Sequence, residues 1–122
     1  MSAKNLHILV IDDNEDILFM LQAMLKLKEY KVSIKDNIEN LESDIEAMSP
    51  EIILMDMLLC GADGREICKR LKANLNFSNI PIVMISAHPQ AKAECLRAGA
   101  NYFLEKPFDM KDLYHAVSTV LS

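Results

Sequence analysis

Four short apolar runs punctuate the chain: Ile8-Leu9-Val10-Ile11, Ile52-Ile53-Leu54-Met55, Ile80 to Ile85, and Tyr102-Phe103-Leu104. None of them alternates with polar residues. Unbroken apolarity of this length predicts strands covered on both faces, as in a parallel sheet sandwiched between helices. A fifth segment, Lys31-Val32-Ser33-Ile34-Lys35, does alternate, which predicts an edge strand with one wet face. Between these runs the apolar spacing becomes helical. Ile17, Leu21, Met24 and Leu25 share one face, as do Ile38, Leu41, Ile45 and Met48, and then Ile67 and Leu71 after Gly64. An Ala-rich stretch with Ala93, Leu96 and Ala98 opens after Pro89 and closes at Gly99. Leu113, Ala116, Val117, Val120 and Leu121 form a last stripe, behind an Asp109 able to cap it.

Strand followed by helix, five times over, predicts right-handed crossovers and a doubly wound α/β sandwich. Five parallel strands in the order 2-1-3-4-5 place the alternating segment on an edge. No linker, repeat or low-complexity tract breaks the 122 residues, and the last helical stripe runs to the end. The expectation is therefore a single domain over 1-122 with no effector domain.

Composition narrows the function classes. Lys plus Arg is 13 against 18 Asp plus Glu, so the net charge is −5. Such a field repels phosphate backbones and anionic lipid, so no direct nucleic-acid binding is expected. No apolar stretch approaches the ~20 residues that cross a bilayer, and the start is no signal peptide, so no membrane insertion is expected. Cys60, Cys68 and Cys95 are widely spaced and the three histidines show no ligand spacing, which argues against disulfide scaffolds and structural zinc. A reduced, cytoplasmic protein fits these features. Cys68 and Cys95 fall on helices and read as inert, and the methionines as packing. His7, His88 and His115 read as surface residues.

The chemistry sits where the strands end. The first run ends at Asp12-Asp13, the third strand at Asp56, the fourth at Ser86 and the fifth at Lys106. In an open parallel sheet all these ends share one rim, and ligands bind there beside the point where strand order reverses. Neighbouring strands are about 4.8 Å apart, so Asp12, Asp13 and Asp56 should lie together. Two unit charges ~4 Å apart repel by about 4 kcal/mol at an effective dielectric of ~20. Either a proton or a cation must relieve them. An all-oxygen set with few protein ligands suits Mg²⁺, which keeps several waters and completes its shell with phosphate oxygens. A lysine and a hydroxyl beside such a set can neutralise and hold a phosphoryl group, and one carboxylate can accept it as an aspartyl-phosphate.

Singly, each residue has a plainer reading. Asp12-Asp13 could stabilise a helix N-terminus, Asp56 could be a strand end, Ser86 a turn residue, Lys106 a solvated lysine and Phe103 a core aromatic. The convergence of Asp12, Asp13, Asp56, Ser86 and Lys106 on one rim outweighs their plainer readings, whereas for Phe103 the residues alone favour the core.

Val10-Ile11-Asp12-Asp13-Asn14, Ile53-Leu54-Met55-Asp56, Asp63-Gly64, Ile85-Ser86-Ala87, Gly99-Ala100 and Lys106-Pro107-Phe108, in that order, resemble the receiver domain of bacterial two-component response regulators along essentially the whole chain. The resemblance implies a flavodoxin-like (βα)5 sandwich with Asp56 as phosphoacceptor. It implies Mg²⁺ held by Asp13, Asp56 and the backbone carbonyl of Leu58, with Asp12 acting mainly through water. Ser86 and Lys106 would contact the phosphoryl oxygens, and Phe103 would be the switch aromatic. Pro107 stands where the family often has a cis peptide bond. The donor would be a histidine kinase or phosphotransfer protein. Output would pass to a downstream protein target through the face made by the fourth helix, fifth strand and fifth helix.

Some positions depart from the family. Cys60 stands where a proline is usual, which implies a looser loop and an exposed thiol. Leu58 and His88 occupy positions that tune phosphoryl lifetime in the family, and Leu58 is expected to restrict the attacking water. Tyr102 is bulkier than the small polar residue often found before the switch aromatic. A haloacid-dehalogenase-type phosphatase would need a carboxylate where Leu58 stands. A flavodoxin relative would need a Gly- and hydroxyl-rich loop where Asp12 to Glu15 stand. A receiver-like docking module independent of phosphorylation would not need all the acidic and basic residues present. The expected chemistry is that of a signalling domain rather than an enzyme, at most taking up and losing its own phosphoryl group.

Overall fold

The computed structural model describes residues 6–59 and 61–121. Five strands form the main sheet: β1 (His7–Ile11), β2 (Lys31–Lys35), β3 (Ile52–Asp56), β6 (Ile82–Ser86) and β7 (Tyr102–Glu105). All pair in parallel, in the order β2-β1-β3-β6-β7. This is the expected 2-1-3-4-5 order, the common one for a doubly wound five-stranded sheet, with the alternating β2 on the edge. The numbers 4 and 5 go to two short strands, β4 (Leu58–Leu59) and β5 (Ala62–Asp63), which pair antiparallel as a hairpin after β3. Sequence periodicity gave only a loop there. Gly61 turns the hairpin at φ +73°, a conformation that costs other residues about 1–2 kcal/mol. Cys60, with its expected exposed thiol, lies outside the described residues.

The helices are α1 (Glu15–Leu27), α2 (Leu41–Met48), α3 (Gly64–Ala73), α4 (Lys92–Arg97) and α5 (Met110–Leu121), with a 3-10 turn at Pro89–Ala91 leading into α4. They cover both faces of the sheet. On one face α1 and α5 bury Leu18, Leu21, Leu25, Leu113, Ala116 and Val117 against Ile8, Val10, Ile52, Leu54, Val83 and Ile85. Each fully buried Leu or Ile contributes about 1.5–3 kcal/mol. On the other face α2, α3 and α4 pack Leu41, Ile45, Ile67 and Leu71 with a set of sulfur side chains, Met55, Met57, Met84, Cys68 and Cys95. Alternation along each strand divides the two sets, since successive side chains point to opposite faces.

Local chemistry explains where helices begin. Asn14 caps α1 by accepting from the Ile17 N–H at 3.1 Å. Asp109 and Asp112 exchange side-chain-to-backbone bonds at the start of α5, at 2.9 and 3.2 Å, so the expected cap is present as a reciprocal pair. The helical spacing predicted from Ile38 starts only at Leu41. An Asx turn, Glu39 N–H to Asn37 Oδ1 at 2.9 Å, and Asn40 at φ +55° divert the chain first. In α4 it is Ala91, Cys95 and Ala100 around the helix that are buried, while Leu96 is exposed. His7 corrects the surface reading of the histidines. It opens the buried β1, and both ring nitrogens are satisfied there: Nδ1 pairs with the Met48 carbonyl at 3.1 Å and Nε2 with Ser33 Oγ at 2.7 Å. His88 and His115 are exposed, as expected.

Candidate functional site

The sheet ladder itself delivers the polar residues to one rim. The last bonds of the ladder run from Asp12 N–H to the Lys35 carbonyl at 3.1 Å, from Met57 N–H to Ile85 at 2.8 Å, and from Lys106 N–H to Ser86 at 2.9 Å. Ile11 pairs with Met55, Asp56 with Ile85 and Ser86 with Glu105. Thus Asp12, Asp56, Ser86 and Lys106 each stand where a buried strand meets solvent. Asp12, Asp56 and Ser86 are buried, and Asp13 is exposed.

Asp12, Asp13 and Asp56 each present a carboxylate oxygen, and these atoms lie within 4.8 Å of one another. The Lys106 ammonium donates to Asp56 Oδ1 at 3.0 Å and lies 4.0 Å from Asp12 Oδ2. Asp12 Oδ1 accepts from the Asn14 N–H at 2.9 Å, but Oδ2 is buried without a hydrogen bond. A buried carboxylate oxygen left unpaired in a low-dielectric site is costly. Burial drives the Asp12 carboxyl above its usual range, helped by the charges of Asp56 and Asp13 and opposed by the Asn14 N–H and Lys106. An oxygen-seeking divalent cation suits such a donor set. The Ser86 hydroxyl accepts from the His88 N–H at 2.9 Å, which leaves its own proton free to donate.

Phe103 lies on β7 opposite Met84 and is half-buried against the sulfur-containing cluster, on the face of the sheet that Ser86 also shares. Leu58 follows Asp56 by two residues and is 52 % exposed. The Lys106–Pro107 peptide is cis.

The family model described as the response regulator receiver domain matches residues 8–118. The chain is a member of that receiver family. The fold, the order of motifs and the acidic rim of this receiver agree with the membership, which places it in two-component signalling. It is 31% identical over 116 residues to the phosphate regulon transcriptional regulatory protein PhoB of Pseudomonas aeruginosa, covering 93% of this chain and 51% of that protein. It is 33% identical over 120 residues to the alkaline phosphatase synthesis transcriptional regulatory protein PhoP of Bacillus subtilis, covering 96% and 49%. The receiver therefore spans about half the length of these curated relatives. Among solved structures, the receiver domain of the Pseudomonas aeruginosa sensor histidine kinase PA1611 superposes with a TM-score of 0.86 at 27% identity, over 97% of this chain and 99% of that one. That structure carries a magnesium ion coordinated in its active-site cleft. Among the described residues of this receiver, no helix is long and apolar enough to cross a membrane.

Backbone groups around the rim add contacts that residue types do not display. Asn14 orients Asp12 through its N–H, and the His88 N–H holds the Ser86 hydroxyl. Gly64 packs so closely on the end of β3 that a Cβ there would lie 2.8 Å from the Asp56 carbonyl oxygen. Asn14 and Gly64 were visible as motif pieces. Their partners are backbone atoms, which no residue pattern displays.

Proposed function

We propose that this receiver accepts a phosphoryl group on Asp56 from a histidine kinase or phosphotransfer protein and passes the signal to a downstream protein target. The observation that carries the reading is the acidic triad with its orphaned Asp12 Oδ2 and the Lys106 ammonium seated on Asp56. In the transfer an Asp56 carboxylate oxygen forms a bond to phosphorus as the bond between phosphorus and the donor atom breaks, its electron pair leaving with the donor. Asp13, Asp56 and the Leu58 backbone carbonyl would hold Mg²⁺, with Asp12 acting mainly through water. The ion supplies charge neutralisation for the phosphoryl oxygens.

The chain's own residues do the rest. Lys106 is already at Asp56 and needs only to follow the charge outward onto a phosphoryl oxygen, as its flexible stem allows. Ser86 offers its free hydroxyl proton to another. The exposed Leu58 side chain limits water access to the acyl phosphate. Phe103, packed in the cluster that adjoins Ser86, responds when that hydroxyl moves, and α4, β7 and α5 display the change. The reading is of one receiver domain over 1-122, working in the cytoplasm as a signalling module without turnover of free phosphoesters and without direct contact to nucleic acid.

Incubation with Mg²⁺ and acetyl phosphate, followed by intact-mass spectrometry, tests this. One phosphoryl adduct on the wild type, lost in Asp56→Asn and without Mg²⁺, is the expected result. Absence of an adduct with acetyl phosphate and with phosphoramidate alike would overturn it.

A further inference from the structure

The fourth helix is too short to hold itself in place. It has six residues, Lys92 to Arg97, and an isolated helix of that length has no stability in water. Its one buried residue is the small Cys95, behind the buried Ala91 of the preceding turn, whereas Leu96 is 41 % exposed. Such a surface anchors weakly, because buried area is what holds a helix to a sheet. Beyond its packing on β7, side-chain contacts help set its position.

Two side-chain contacts reach it from the segment that follows Asp56. Inside, Cys95 Sγ lies 3.6 Å from Sδ of Met57, the residue next to Asp56. Outside, Arg65 Nη1 donates to Glu94 Oε2 at 2.6 Å. Arg65 is fixed before it reaches out: its Nε and Nη2 bond Asp63 Oδ1 and Oδ2 at 3.0 and 2.9 Å, and its own N–H caps on the same carboxylate at 2.9 Å. The hydrogen bonds from Arg65 keep the Asp63 carboxyl below its usual range. A guanidinium already held in a bidentate fork loses little further freedom on binding Glu94, so this pair is worth more than two free side chains meeting on a surface. Asp63 closes the hairpin opposite Leu58, and Gly64 N–H donates to the Met57 carbonyl at 2.6 Å.

We infer that Arg65 is a clasp joining the hairpin after Asp56 to α4, so that α4 is positioned from the acceptor loop as well as from Ser86 and Phe103. A charge change at Asp56 then reaches α4 by a second, outer route through Asp63, Arg65 and Glu94. The clasp itself follows from the contacts. Its part in signalling rests on the phosphoacceptor reading above.

Amide hydrogen exchange and a beryllofluoride titration, both followed by NMR, separate the two. In Glu94→Gln and in Arg65→Gln the amides of α4 should exchange roughly two- to fivefold faster than in wild type, the scale of one surface ion pair. Exchange in α5 should stay as it was, and the double variant should be no faster than the faster single one. Unchanged α4 exchange in both single variants overturns the clasp. With Mg²⁺ and beryllofluoride, wild-type shifts should appear near Asp56 and in α4. In Glu94→Gln the shifts near Asp56 should persist at the same midpoint, while those in α4 fall to about half or less. Full α4 shifts in that variant overturn the outer route. No wild-type shift near Asp56 would instead defeat the phosphoacceptor reading, and the exchange result would still decide the clasp.

Discussion

Lys106 Nζ lies 3.0 Å from Asp56 Oδ1, so the lysine already occupies the carboxylate that the proposed chemistry uses. Three carboxylates and one ammonium give the site a formal charge of −2. Lys106→Met makes it −3. Removing a positive charge ~6 Å from a divalent ion is worth about 1.4 kcal/mol at a dielectric of ~80, or roughly tenfold in affinity. Calorimetric titration should show Mg²⁺ binding about tenfold tighter in the variant, and weaker binding would contradict this account of the site.

Asp12 sets a pH dependence of stability. Its folded carboxyl holds a proton to higher pH than the unfolded chain does, chiefly because it is buried. The folded state then binds more protons between the unfolded and folded values, so this group lowers stability as pH rises through that window. At neutral pH without Mg²⁺ its charge costs stability. Asp12→Asn keeps an oxygen for the Asn14 N–H and removes the charge. Its Tm at pH 7 should exceed that of wild type by a few degrees, an advantage that shrinks on acidification to below about pH 4. Thermal melts across pH, without Mg²⁺, check both signs.

Gly64 should prove irreplaceable for a steric reason, in contrast to Gly61. A Cβ at Gly64 meets the Asp56 carbonyl oxygen at 2.8 Å, and backbone cannot step aside cheaply. Gly64→Ala should cost about 1–3 kcal/mol and weaken Mg²⁺ binding by displacing Asp56. At Gly61 nothing lies within 4 Å, so Gly61→Ala pays only for its positive φ, about 1–2 kcal/mol, and leaves Mg²⁺ affinity intact. Chemical denaturation paired with Mg²⁺ titration separates the two.

The two described thiols should be silent in the native protein. Burial pushes Cys68 up to about 11 and raises Cys95 as well. Iodoacetamide at mildly alkaline pH should leave both unmodified until guanidinium unfolds the chain, as read by peptide mass spectrometry. Native labelling of Cys68 would show that α3 opens far more readily than its packing implies.

Much of this architecture was legible because it rests on periodicity. Ile8 to Ile11 and Ile52 to Met55 read as strands covered on both faces, and Lys31 to Lys35, by its alternation, as an edge. Strand ends then fixed where Asp12, Asp56, Ser86 and Lys106 had to converge. What escaped was decided by single backbone angles or by partners far along the chain. Asn40 at φ +55° delayed α2 past Ile38, and the turn at Gly61 made a hairpin of what reads as a loop. His7 was misjudged because its burial depends on Ser33 and Met48 supplying partners, and neither is near it in sequence. The reach of Arg65 to Glu94 spans 29 positions and follows no spacing rule.

Among the described residues, fully buried sulfur is confined to one side of the sheet. Branched aliphatic chains fill the α1–α5 side, whereas on the other side Met55, Met57, Met84, Cys68 and Cys95 are interspersed among Leu9, Ile11, Ile53, Ile67, Leu71 and Ile82. Unbranched thioethers re-pack at little cost. The α2–α4 side therefore carries the more adaptable packing. Met55 stands one residue before Asp56 and Met84 two before Ser86, so a displacement at the acidic rim meets this adaptable packing first.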